Sequence, residues 1–217
     1  MRLGIRLLFA FFLINGIAAF FVLRVFTAEI KPSVREVMED MMVDTANLLA
    51  ELASDDLAAG RLAQGDTDSA FARHVRNYVR RPIDAGIWGF AKQSLDYRIY
   101  VTDATGRVLF DSQGQAVGQD FSQWRDVART LRGEYGARMT REVPSDDTSG
   151  VMHVAAPVLV QGRILGVLTV AKPVRTVQRF IDRAERKVLM GGLVLLLLSA
   201  AVGVAVTLWM VWNVRRL

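Results

Sequence analysis

Few residues in this chain could carry out covalent chemistry. It has two histidines, His74 and His153, and no cysteine, which removes thiolate nucleophiles, redox motifs and Cys-ligated metals together. No His-Glu-x-x-His, Gly-x-Ser-x-Gly, dinucleotide-binding glycine fingerprint or Walker-type phosphate loop occurs. Zinc hydrolysis, serine acyl transfer, hydride transfer and ATP binding therefore each lack their constellation. The paired carboxylates Asp55-Asp56 and Asp146-Asp147 stand in polar turn contexts that suit caps or solvated loops. Asp66 and Asp68 lack the further oxygen ligands and the turn glycine of a calcium loop. What remains is suited to binding. Arg80, Arg81 and Lys92 could hold a carboxylate or phosphate through charge-assisted hydrogen bonds. His153 lies between Met152 and Val154 in a strand, so alternation turns it away from both, toward Tyr100 and Arg138 on other strands as a pocket donor. A solvated basic face and a hydrogen-bonded structural histidine are the alternative roles. No cofactor and no metal are expected.

The elements that must position these residues fall into three parts. Residues 31–60 place Val34, Met38, Met41, Thr45, Leu48 and Leu52 at alternating steps of four and three, the spacing of a coiled-coil seam, with Val37, Met42 and Leu49 widening the stripe. That spacing predicts a long helix, opened at Pro32 and closed at Gly60, with one edge on its own sheet and the seam against a second copy. Gly65 to Asp68 reads as a loop and Phe71 to Arg80 as a short helix with Arg73, Arg76 and Arg80 on one face. From Tyr97 the period shortens to two. YRIYVTD and RVLFDS read as strands joined by a tight turn at Asp103 to Gly106. Gly118 to Leu131 reads as a short helix entered through Asp120, with Phe121, Trp124, Val127 and Leu131 on one face. YGARMTREV, GVMHVAAPVLV and RILGVLTVAKPV follow as strands, the last two joined at Gln161-Gly162. Five mainly antiparallel strands with a long N-terminal helix make an α+β domain.

Two apolar runs bracket it. Val188 to Trp212 holds about 25 residues without a charge, enough at 1.5 Å per residue to cross a bilayer core of ~30 Å. Leu7 to Leu23, interrupted only by Asn15 and Gly16, is a shorter run behind Arg2 and Arg6. Bulky Arg24, Val25 and Phe26 argue for an uncleaved anchor over a cleaved signal peptide. Arginines at the outer ends, Arg2, Arg6, Arg215 and Arg216, place both ends in the cytoplasm. The expected boundaries are a cytoplasmic terminus at 1–6, spans at 7–26 and 188–212, an extracytoplasmic domain at 27–187, and the start of a cytoplasmic linker at 213–217. Val177, Ile181, Ala184 and Val188 carry a four-three-four spacing into the second span. The net charge of +5 comes from 27 basic residues interleaved with 22 acidic ones, which is no nucleic-acid footprint.

One ordered series is more specific than any of its parts. It comprises Val43-Asp44-Thr45-Ala46, Leu48 to Ala53, Val108-Leu109-Phe110-Asp111-Ser112, Ala116 to Asp120, Thr130-Leu131-Arg132-Gly133, Tyr135 to Arg138 and Val154-Ala155-Ala156-Pro157. In that order it resembles the extracytoplasmic PAS-like (Cache, or PDC) sensor domains of bacterial receptors, and among them the input half of the CreC family of carbon-source-responsive sensor histidine kinases. The resemblance implies a homodimeric, two-pass inner-membrane receptor with its sensor domain in the periplasm, taking a small-molecule or other periplasmic signal. It also implies a kinase part beyond Leu217, through which a response regulator would be addressed. No enzyme activity is expected of residues 1–217. A membrane-anchored adaptor for a periplasmic protein, or the same sensor attached to a cyclase or chemoreceptor, are the competing functions.

Overall fold

The computed structural model describes residues 2–62, 68–87, 90–141, 143–146 and 149–214. The loop reading at Gly65 to Thr67, Asp147, Arg215 and Arg216, and the side chains of Val177 and Ile181, lie outside the described residues. Internal contacts divide the chain into two units, Glu36–Thr176 and a second made of Met1–Arg35 with Val177–Leu217.

The helix α1 (Arg2–Ala58) carries Pro32 in its interior, so the predicted start at Pro32 is corrected. It ends as expected, with Gly60 in the left-handed region at φ 68°. Within Glu36–Thr176 its seam separates into two stripes. Met38, Met42, Ala46, Ala50, Ala53 and Leu57 are buried, whereas Val37, Met41, Leu48 and Leu52 are 55–64% exposed. Met38 and Met42 thus belong to the packed side, and the remaining stripe is left facing out. The short helix α2 (Ala70–Arg80) forms where the arginine periodicity placed it. Asp56 anchors its start: its carboxylate accepts from Ser69 Oγ (2.7 Å), the Phe71 N–H (2.8 Å) and Arg61 Nε (2.6 Å). Burial works to raise the pKa of Asp56, and these hydrogen bonds and the Arg61 charge outweigh it, so the pKa falls below the ordinary carboxylate value. The hairpin β1 (Ala85–Ile87) with β2 (Phe90–Lys92) follows; the sequence patterning gave no sign of it.

The main sheet is antiparallel throughout, in the order β4-β3-β7-β6-β5. It comprises β3 (Arg98–Asp103), β4 (Val108–Asp111), β5 (Gly136–Arg141), β6 (Gly150–Val160) and β7 (Arg163–Pro173). The β3–β4 turn is held by Asp103, whose Oδ1 accepts from the N–H groups of Thr105 and Arg107. Gln161 and Gly162, both at positive φ (48° and 77°), make the β6–β7 turn, as two-residue hairpins require. The predicted helix from Gly118 is shorter: α3 spans Arg125–Leu131, and Asp120 instead caps a turn by accepting from the Ser122 N–H.

Alternation sorts the strands into two faces. Ile99, Val101, Phe110, Val154, Leu168 and Val170 line the face covered by α1 and α2, where the Phe71 and Phe110 rings meet edge to face at 5.8 Å. Tyr100, Val108, Ala155 and Val167 line the other and pack with Phe121, Val127 and the partly buried Trp124 and Leu131. An irregularity in the β3–β4 ladder lets Val108 and Asp111 share that second face although they are three residues apart. Gly136 lets α3 settle on it, since a Cβ there would stand 2.2 Å from both the Asp126 carbonyl and Thr130 Oγ1. At the end of β7, Pro173 lies opposite Val151 without an N–H to offer, and the Val174 N–H then donates to the Gly150 carbonyl at 2.7 Å.

The helix α4 (Arg175–Val214) begins two residues after β7. Among the described residues one helical stretch, Arg183–Trp209, is long and apolar enough to cross a bilayer, with a mean hydropathy of 2.5; the apolar stretch of α1, Phe9–Val25, is shorter.

Candidate functional site

On the α3 side of the sheet a polar network converges on one carboxylate. Asp126, in the first turn of α3, is fully buried. Arg138 Nε on β5 donates to its Oδ1 at 2.6 Å, and the Tyr100 hydroxyl on β3 and Thr169 Oγ1 on β7 both donate to its Oδ2. Strand alternation puts Gly136, Arg138 and Thr140 on this face of β5, so the strand delivers a cation to a place where it must find an anion. Burial, and then the negative charge of Asp126, push the Tyr100 phenol far above its ordinary pKa, so it stays a donor.

His153 extends the network along β6. Arg138 Nη2 stands 3.3 Å from its Nδ1, and Thr140 Oγ1 stands 3.0 Å from its Nε2. A guanidinium can only donate, so Nδ1 is the accepting nitrogen and Nε2 carries the proton of the neutral ring. Burial, with the Arg138 charge beside it, lowers the His153 pKa to about 4. The guanidinium of Arg138 also lies 4.0 Å from the Trp124 ring centroid, and Trp124 in turn stacks on Phe121.

Beside this network opens a cavity of about 350 Å³, lined among others by Arg98, Trp124, Arg138, Thr140, Arg141 and His153. Its wall carries three guanidinium groups, of which Arg98 and Arg138 are matched by the buried carboxylates of Asp111 and Asp126, while Asp96 is an acid of the lining itself. Arg98 is fixed by a bidentate pair with the buried Asp111, at 3.0 and 2.8 Å. Burial of Asp111 works to raise its pKa, and the Arg98 bond with three backbone N–H donors outweighs it. Ala171 and Pro173, the last inward positions of β7, form part of the wall immediately ahead of α4.

The structure therefore brings together Tyr100, Arg138 and His153, as strand alternation predicted, although Tyr100 lies behind the wall and acts on Asp126. It does not bring Arg80, Arg81 or Lys92 to this cavity. Arg80 and Arg81 are exposed at the end of α2, and Lys92 is half-buried in β2. Asp126, Arg98 and Trp124 were missed as site residues. The signal for Asp126 was present in the inward-facing Arg138, which implies a buried counter-charge; nothing in the spacing says where that charge sits.

No family model matches the chain. All 217 residues align, at 45% identity, with the sensor protein CreC of Escherichia coli, covering 100% of this chain and 45% of that protein. The chain thus spans under half the length of that curated relative. The sensor domain of the V. cholerae histidine kinase DctB superposes with a TM-score of 0.51 at 16% identity, over 73% of this chain and 58% of that one. The E. coli DcuS sensor domain does so with a TM-score of 0.44 at 18% identity, over 67% and 98%. The DctB likeness concerns the fold, and it agrees with the α+β sheet and helices described above. Over its whole length this chain is thus similar to part of the sensor protein CreC.

Proposed function

We propose that the chain is the membrane-anchored, extracytoplasmic sensor region of a two-component histidine kinase, and that a small anionic signal occupies the cavity beside Arg138. The observation that carries this reading is that one cavity joins a wall of guanidinium donors to the last residues of β7. A ligand held there binds one arrangement of β7 and α4 better than another, and differential affinity alone shifts the balance. Coupling of about 1–3 kcal/mol gives a fivefold to hundredfold change in output.

The reading includes two spans, 7–26 and 188–212, with 1–6 and 213–217 cytoplasmic and 27–187 in the periplasm. The stretch Phe9–Val25, 17 residues that are apolar apart from Asn15 and Arg24, sits at the lower limit for a spanning helix. It also includes a homodimer through the exposed stripe of α1, since a row of apolar side chains at coiled-coil spacing in water calls for a cover. A response regulator is reached only through a kinase part.

Thermal unfolding of the full chain in detergent, against a panel of small carboxylates and phosphates, tests the cavity. A ligand at ten times its Kd should stabilise by about 1.4 kcal/mol. Arg141→Glu reverses a charge on the exposed rim and should abolish that response. A response that survives this variant, or no response to any anion, counts against the assignment.

A further inference from the structure

On the opposite face of the sheet a second, largely apolar groove of about 490 Å³ runs between α1 and α2. Thr45, Leu49 and Leu52 form one wall, His74 and Tyr78 the other, and Phe71 part of the floor. Leu52 also belongs to the exposed stripe, so groove and stripe form one continuous surface. The two helices that border it carry opposite charge. From Glu36 to Ala58, α1 has seven acidic residues and no basic one, whereas α2 with Arg81 has four arginines and no acid.

We infer that the groove is the seat of a second copy of this chain, in which the acidic flank of α1 lies along the basic α2 of the partner. This deepens the homodimer reading above and rests on it. At 100° per residue, the exposed acids Asp40, Asp44 and Glu51 lie roughly 70° round α1 from the apolar stripe on one side, and the groove opens roughly 60° from the stripe on the other. Two copies anchored in one bilayer point their α1 helices the same way, and a twofold axis parallel to them relates the pair. Turning one helix by 180° about that axis puts the groove and α2 of each copy on the side where the other presents its acids. The levels along the helices agree as well. Asp56 meets Ser69 and Phe71 at the start of α2, and Thr45 and Tyr78 share the groove further down, so α2 runs antiparallel to α1. Glu51 is then level with the partner's Arg73, and Asp44 with the partner's Arg80. Asp44, Glu51, Arg73 and Arg80 are all exposed. A groove that takes the apolar stripe, rimmed by charges that match only in this arrangement, fixes register as well as partner.

The chain has no native cysteine, so introduced ones report cleanly. Differently tagged full chains carrying Asp44→Cys and Arg80→Cys, co-expressed in membranes and mildly oxidised, should give a mixed dimer at least tenfold above the pair Asp44→Cys with Gln123→Cys. Arg73→Glu with Arg80→Glu should weaken dimerisation about tenfold or more, and adding Asp44→Lys with Glu51→Lys should restore it. If Leu48→Cys pairs with itself while the 44–80 pair does not form, or if charge reversal leaves dimerisation unchanged, the groove assignment is overturned and the dimer stands. If no pair forms and the chain runs as a monomer, the dimer reading falls with it.

Discussion

Replacing Asp126 by alanine is expected to destabilise the Glu36–Thr176 unit by about 3–5 kcal/mol, the cost of leaving one member of a buried ion pair without its partner. Arg138, whose side chain is 16% exposed, would lose the acceptor at 2.6 Å that balances its charge. The Tyr100 and Thr169 hydroxyls would lose theirs as well, and a donor left unsatisfied in the interior adds its own desolvation cost. Urea or thermal unfolding of the full chain measures the loss. Asp126→Leu combined with Arg138→Met should be much less damaging than the sum of the single changes, because removing both charges leaves neither uncompensated. A single alanine variant within about 1 kcal/mol of the parent would show that the pair is solvated and the network is not a core.

The second large effect is a loss of stability on acidification. Folding lowers the pKa of His153 from 6.5 to about 4, so between these values the unfolded chain binds a proton that the folded chain refuses. Its contribution to stability is fully present above pH 6.5 and is lost as the pH falls toward 4. At pH 4.5 the deficit is about 2–3 kcal/mol relative to pH 7. The physical cause is burial first and the Arg138 charge second; protonation would also set a cation on Nδ1 against the Nη2 that donates to it. His153→Gln should flatten the pH dependence of the unfolding free energy across this window. A parent chain as stable at pH 4.5 as at pH 7 would contradict a buried neutral ring.

Strand and turn positions were legible because their signals are local. The alternation in GVMHVAAPVLV, the Asp103 to Gly106 turn and the Gln161-Gly162 turn each depend on a few adjacent residues. The seam of α1 was read as a single stripe because Met38 and Met41 differ by only three residues in sequence; which of them meets the sheet depends on the helix's rotation, and spacing does not carry that. The hairpin at 85–92 was hidden because its strands are three residues each, too short for a period to register. At the site, Tyr100, Arg138 and His153 could be gathered because the strand pattern puts them on one face. Asp126 could not, since it reaches them from α3, across a packing contact made possible by the missing Cβ of Gly136.

The proline at the end of β7 has one more implication. Because Val174 donates to Gly150, the pair Pro173–Val151 just before it is one that exchanges no hydrogen bonds, so the proline costs β6 no rung and the bond from Val174 to Gly150, worth about 1 kcal/mol net, closes this end of the ladder. That single latch stands between the cavity wall and the first turn of α4. Undoing it disturbs no other rung of the ladder, so the exit of the domain can be let go or drawn in cheaply while the rest of the sheet keeps its shape.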